Sequence, residues 1–210
     1  MAQDQLSLLP AVPNLPQGFK YSPEVISPDE EQGLLERIRQ LPLAEFQFHG
    51  FTGKRRVISY GWKYDFEERA VREAESIPSW LLPLRERAAG FASVEPDQLQ
   101  QALVTEYDVG AAIGWHRDKA VFGDVIGISL LSSCRFRLRR KVGTKWERAS
   151  LMADARSAYL LRGASRMEWE HSIPAVDTLR YSITFRSFQG RPPHFRTTRA
   201  ASSTRSQPGA

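Results

Sequence analysis

At 210 residues, with 41% apolar and 25% charged residues, the chain has the size and composition of one globular domain with a sizeable core. Its single cysteine, Cys134, excludes an internal disulfide and any metal site built from several thiolates of one chain. Metal ligands must come from His49, His116, His171, His194, carboxylates and water. No run approaches the roughly 18 apolar residues of a membrane span, so no membrane partner is expected. The net charge of +5 and the pI of about 9.5 favour a polyanionic partner such as nucleic acid.

The first 20 residues are punctuated by proline and lack a basic leader followed by an apolar stretch. A flexible arm over residues 1–17 is expected rather than a secretory signal, and a cytoplasmic monomer is the default. The segment Ser27-Pro28-Asp29-Glu30 then opens a helix. Serine suits the N-cap, proline the first turn, and Glu30 the third position of a capping box. Leu34, Leu35, Ile38 and Leu41 follow at helical spacing, and a second helix is predicted over about 79–92. Between them, residues 48–66 mix basic residues, aromatics and glycines, which is the composition of a hairpin or lid (placed at about 46–66). Beyond residue 100 the pattern changes to short strands, near 101–108, 124–131, 134–140, 145–151, 156–162, 167–172 and 178–188. Many short strands at close spacing suggest a sandwich or barrel. After residue 190 the sequence turns rich in Ser, Thr and Arg, and a disordered basic tail over 191–210 is expected. One domain, residues 18–190, carries the function.

Trp115-His116-Arg117-Asp118 contains a His-x-Asp pair. On a strand, positions i and i+2 face the same way, so both side chains can reach one metal ion. His171 supplies the third ligand of a facial triad, which suits iron(II) with open coordination positions. Taken alone, His-x-Asp fits a surface or capping pair equally well. Residues 178–188, TLRYSITFRSF, read as a strand with two unlike faces. Arg180, Ser182, Thr184 and Arg186 share one, and Leu179, Tyr181, Ile183 and Phe185 the other. Two buried arginines require anions, and a dicarboxylate meets them bidentately. The same pattern also fits a strand whose arginines face water. Thr105 and Tyr107 share a strand face just upstream and offer hydroxyl groups to the same ligand. In the 48–66 segment, Tyr60, Trp62 and Tyr64 alternate and would share one face of an extended hairpin. From there they could stack on a base, with Lys54, Arg55 and Arg56 near phosphates. Arg135, Arg137 and Arg139 alternate with Phe136 and Leu138, and Arg140 and Lys141 follow. This run suits either a nucleic-acid groove or a solvated face.

The ordered set Thr-Glu-Tyr (105–107), His-Arg-Asp (116–118), Trp-Glu-His (169–171) and Arg-Tyr-Ser-Ile-Thr-Phe-Arg (180–186) resembles the AlkB family of 2-oxoglutarate oxygenases. The match covers roughly residues 100–188. The resemblance implies a mainly β, α+β fold: a double-stranded β-helix, or jelly roll, with flanking helices and an N-terminal nucleotide-recognition lid. It implies iron(II) on His116, Asp118 and His171, and 2-oxoglutarate on Arg180, Ser182 and Tyr107 at its distal carboxylate. Arg186 and Thr105 would lie near the chelating end, with Thr184 in support, and O2 would be the co-reactant. The implied activity is oxidative dealkylation of alkylated nucleobases in DNA or RNA, as direct-reversal repair. The target would be single-stranded or flipped from a duplex, and Lys119 would join the substrate-binding residues. Thr105 departs from the Asn of many members, Ser182 from the Asn of the founding ones, and Ala120 from an acidic residue that helps some members read the base. The alternatives are an oxygenase acting on a protein side chain or small molecule, and an inactive nucleic-acid-binding oxygenase fold.

Overall fold

Alternation of apolar and polar residues sorts the strands into two facing sheets. The computed structural model describes residues 15–190 apart from 49, 50, 67 and 69. Most of the expected arm, the expected tail, His49 and His194 lie outside the described residues. The elements in chain order are β1 (Phe19–Ser22), α1 (Pro28–Ile38), β2 (Ala44–Phe48), β3 (Phe51–Tyr60), β4 (Trp62–Asp65) and β5 (Ala70–Glu73). A 3-10 turn, Ser79–Leu81, leads into α2 (Leu82–Ala92), followed by β6 (Gln101–Tyr107), β7 (Ile113–His116), β8 (Phe122–Leu130), β9 (Cys134–Val142) and β10 (Lys145–Ala153). The chain continues through β11 (Ala158–Leu161), α3 (Ala164–Met167), β12 (Glu170–Ile173) and β13 (Arg180–Phe188).

The larger sheet has seven strands in the order β1-β11-β8-β13-β6-β3-β2, and the smaller has four in the order β10-β9-β12-β7. Their ladders are antiparallel. This is the double-stranded β-helix. The short β4–β5 hairpin forms a separate ladder.

Side-chain alternation explains the layering. The outer face of the large sheet presents Ala102, Val104, Ile126, Ile128, Tyr181, Ile183 and Phe185 to the apolar sides of α1 and α2, with Leu35, Ile38, Leu84, Ala88 and Ala92 among the buried contacts. Phe19, Val125, Phe136, Leu138, Leu161 and Ile173 form a second core between the sheets. Helix α1 begins as its sequence dictates. The Ser27 hydroxyl accepts from the Glu30 backbone N–H at 3.2 Å, and the Glu30 carboxylate accepts from the Ser27 N–H at 2.7 Å. Such a cap contributes about 1 kcal/mol. Among the described residues, no helix is long and apolar enough to cross a membrane.

Three readings need correction. The strand assumed to carry both His116 and Asp118 is β7, which ends at His116; its four residues include Gly114, too short and irregular a run to show a period. The expected strand over 167–172 is instead the end of α3 followed by β12, because Gly163, at φ +55°, starts a helical turn that a continuous strand cannot contain. Tyr60, Trp62 and Tyr64 do not share one face. Gly61, at φ +72°, ends β3 and starts β4, and a side chain there would overlap the Gln100 carbonyl. Tyr60 therefore points into the helix-side core, 5% exposed, and is not available to a substrate.

Candidate active site

Strand pairing places the three ligand candidates together. His171 on β12 stands directly across from His116 on β7. A register shift further along the same pair lets Ile113 and His116 both face inward, three positions apart. The His116 and His171 rings lie 4.2 Å apart, and Phe136 stacks beneath His171 at 5.4 Å and 17°. Asp118 joins them from beyond the end of β7, so the pair does not act as i and i+2 on one strand. The ladder ends at His116, and the chain turns so that Arg186 on β13 can hold the carboxylate. The ligand atoms of His116, Asp118 and His171 all lie within 4.8 Å of one another.

The protonation states suit a metal. Nδ1 of His116 lies 2.9 Å from the Gly114 carbonyl; donation there leaves the Nε2 lone pair free for coordination. Burial, reinforced by the neighbouring His116, pushes the pKa of His171 down to about 3, so its imidazole is neutral at physiological pH. Burial alone would raise the pKa of Asp118. The guanidinium of Arg186 and the adjacent His171 and His116 outweigh that effect and hold the carboxyl well below the usual range. One carboxylate and two imidazoles within reach of one another match a divalent iron centre.

The inner face of the large sheet forms an anion cradle beside the triad. Arg180, 1% exposed, donates from Nη2 to the Ser129 hydroxyl at 3.0 Å and lies over the Tyr107 ring at 4.6 Å. Its Nε and Nη1 have no hydrogen-bond partner among the described residues. A buried guanidinium with two unmet donors is costly, and an anion beside it relieves that cost. The Tyr107 hydroxyl and Ser182 Oγ lie 3.4 Å apart beside it. Thr105 pairs directly with Ser182, and Thr184 follows on the same buried face. Arg186 donates from Nε to Asp118 Oδ1 at 2.9 Å and from Nη1 to Gln101 Oε1 at 2.9 Å. Arg180 is thus free for a ligand carboxylate, whereas Arg186 already orients the metal-binding aspartate. A dicarboxylic cosubstrate fits this arrangement.

Sequence reasoning missed several contributors. Ser129 and Gln101 hold the two arginines, and neither carries a periodic signal of its own in the sequence. The Tyr159 hydroxyl lies among Tyr107, Asp118, Arg180 and Arg186, and burial raises its pKa. Its ring covers Gly127, where any side chain would collide with it. Arg166 on α3 donates to the Lys119, Phe122 and Gly123 carbonyls, pinning the loop that carries Asp118.

The expected substrate residues divide. Arg55 pairs with Tyr107 across β3 and β6, shares its inward face, and lies 4.5 Å from the Phe46 ring centroid. Arg56 points to the opposite face, where it bonds Glu106 at 2.7 Å; its expected place beside the substrate is not where the pleat puts it. Trp62 packs edge-on against Phe188 at 5.5 Å. Lys119, immediately after Asp118, holds its ammonium 4.9 Å from the Tyr64 ring and 5.0 Å from that of Phe66.

Comparisons with known proteins agree with this geometry. The family model described as the 2OG-Fe(II) oxygenase superfamily matches residues 18–186. An Arabidopsis thaliana protein named Alkylated DNA repair protein ALKBH8 homolog is 28% identical over 211 residues, covering 87% of this chain and 58% of that protein. The mouse tRNA (carboxymethyluridine(34)-5-O)-methyltransferase ALKBH8 is 27% identical over 183 residues, covering 82% of this chain. The chain spans 58% of the length of the plant relative and 27% of the mouse one. Among solved structures, OsALKBH1 superposes with a TM-score of 0.64 at 16% identity, covering 82% of this chain and 98% of that one. A Pseudomonas putida prolyl-4-hydroxylase superposes with a TM-score of 0.55 at 12% identity, covering 82% and 94%. At these identities the structural likeness concerns the fold.

Proposed function

Because the chain belongs to the 2OG-Fe(II) oxygenase superfamily as an AlkB-like dioxygenase, we propose that its substrate is an alkylated nucleobase in a polynucleotide and its reaction oxidative dealkylation. The observation that carries this reading is Lys119. The residue next to the metal-binding Asp118 touches the aromatic β4 hairpin through Tyr64 and Phe66. A cation and half-buried aromatic rings thus stand next to the metal-binding Asp118, which is the equipment for holding a flat, electron-poor base against a phosphate backbone.

His116, Asp118 and His171 hold iron(II), and Arg180, Tyr107 and Ser182 hold the distal carboxylate of 2-oxoglutarate. Bound there with O2, these groups supply the oxidising power that hydroxylates an N-alkyl carbon, which then leaves as an aldehyde. The chain's own work is positional. Arg180 anchors the cosubstrate carboxylate through its unmet donors, Arg186 keeps Asp118 ionised and aimed, and burial keeps His171 neutral. Trp62 and Tyr64 on the hairpin act as the lid that stacks on the base, with Arg55 and Lys119 toward its phosphates. A base inside a duplex cannot reach the triad, so the target is single-stranded or flipped.

The names of the relatives point to both alkylated DNA and tRNA, so the test includes both polymers. An aerobic reaction with iron(II), 2-oxoglutarate and ascorbate is run on single-stranded DNA, single-stranded RNA and tRNA carrying 1-methyladenine or 3-methylcytosine. Mass spectrometry follows base and succinate together. The expected result is base demethylation coupled to succinate, lost in His171→Ala. Succinate formed with no change in any polynucleotide would replace this reading with a protein or small-molecule substrate.

A further inference from the structure

The outer face of the small sheet is unused by the site just described. Register places Arg135, Arg137, Arg139 and Lys141 of β9 along it, beside Arg148 and Trp146 of β10, Glu170 and Ser172 of β12, and Trp115 of β7. The guanidinium of Arg139 is sandwiched between two indoles, 4.4 Å from the Trp115 ring and 4.4 Å from that of Trp146. Arg137 covers Trp115 again at 4.9 Å. Trp146 is 39% exposed and Met152, at the end of the same row, 47%.

The charge on this face is unbalanced. Glu170 pairs with Arg139 at 2.6 Å, while Arg148 stands directly across from the same Arg139 on the other side. Like charges directly opposite on a sheet are destabilising. Among the described residues, Arg135, Arg137 and Arg148 form no ion pair. Alternate residues on β9 recur about every 7 Å, comparable with the step between successive phosphates of a nucleic-acid strand. A row of spaced cations beside the exposed indole of Trp146 is the composition of a single-strand platform, where phosphates meet arginine and a base meets a π face. An acidic peptide offers the charge but nothing for the indoles to stack on.

The face also leads somewhere. Trp115 is on the outside of edge strand β7, and the next residue, the ligand His116, is on the inside. A polynucleotide lying along the β9 row passes Trp115, from which the β7 edge leads round to the metal triad. We infer that the outer face of the small sheet is a docking platform for the single-stranded polynucleotide whose modified base enters the site. This inference rests on the nucleobase reading above.

The test uses full-length protein and unmodified fluorescein-labelled single-stranded DNA and RNA oligonucleotides, with anisotropy measured over a range of salt. Arg135→Glu combined with Arg148→Glu should weaken binding about tenfold or more. It should also flatten the dependence of log K on log salt by at least about 1.4, two contacts at about 0.7 each. Trp146→Ala should weaken binding roughly fivefold with the slope unchanged. The control, Lys20→Glu with Arg37→Glu, carries the same charge change on exposed positions elsewhere and should bind as the parent does. Thermal midpoints check folding throughout. If the parent binds and the β9–β10 variant matches it, the platform is wrong and the nucleobase reading stands. Equal loss in the control reduces the effect to net charge and also overturns the platform. Poly-glutamate competing as well as the oligonucleotides, with Trp146→Ala silent, would make the partner an acidic polypeptide. No binding of any polynucleotide by the parent protein would sink both readings.

Discussion

Inside the barrel, the polar side chains on β6, β8 and β13 are held by partners on neighbouring strands, whereas the β4–β5 hairpin meets the Asp118 loop through ring and cation–π contacts. Arg186 has Asp118 and Gln101, and Arg180 has Ser129. At the hairpin, Tyr64 and Phe66 meet edge to face at 5.1 Å and Lys119 covers both. Directional bonds between buried groups fix geometry, while ring contacts at a partly exposed surface tolerate repacking. On the function proposed above, the oxidative chemistry belongs to the hydrogen-bonded sheets and contact with the substrate to the hairpin.

The sharpest way to break that division is to remove a ligand. Asp118→Ala takes away the anionic donor and leaves the half-buried Arg186 without its carboxylate partner, so iron binding and succinate formation should both vanish. Retained iron by metal analysis would remove Asp118 from the centre. Ser129→Ala should come next. It strands Nη2 of Arg180, with a cost of about 1–3 kcal/mol in denaturant unfolding and a several-fold rise in the KM for 2-oxoglutarate. Gly127→Ala should destabilise by about 1–3 kcal/mol through overpacking against Tyr159, again with a raised KM for the cosubstrate; an unchanged unfolding curve would show that the ring moves freely. Lys119→Ala should have the smallest effect. Loss of a partly exposed cation–π contact is worth about 0.5–1 kcal/mol, or roughly 2–5-fold in the KM for an oligonucleotide. The KM for 2-oxoglutarate should not change, and an equal rise in both would erase the division between sheet and hairpin.

The same contrast explains what was legible in the sequence. β13 announced itself because a strand has a strict period of two: Tyr181, Ile183 and Phe185 had to be core, so Arg180 and Arg186 had to be together on the other face. The α1 cap was readable because its bonds are local. His116, Asp118 and His171 were found as a set, but their geometry was misplaced. The ligands meet across a strand pair and beyond a strand end, which depends on a pairing 55 residues away in sequence rather than on local spacing. Ser129 and Gln101 were silent because a single serine or glutamine on a strand carries no pattern, and its role exists only once β13 lies beside it. Tyr60 misled because alternation was carried through Gly61, where positive φ resets the face. Arg56 misled for the complementary reason, since adjacent residues on a strand cannot share a face.

That the unmet donors of Arg180 receive a cosubstrate carboxylate is what the proposed function turns on. It is tested most directly by thermal unfolding of the manganese-loaded protein with and without 2-oxoglutarate, in parent and Arg180→Met. The account predicts that Arg180→Met, free of a buried and half-satisfied guanidinium, is at least as stable as the parent without 2-oxoglutarate, and that the rise in midpoint the parent shows with 2-oxoglutarate is lost. A full 2-oxoglutarate-dependent rise in Arg180→Met would contradict it.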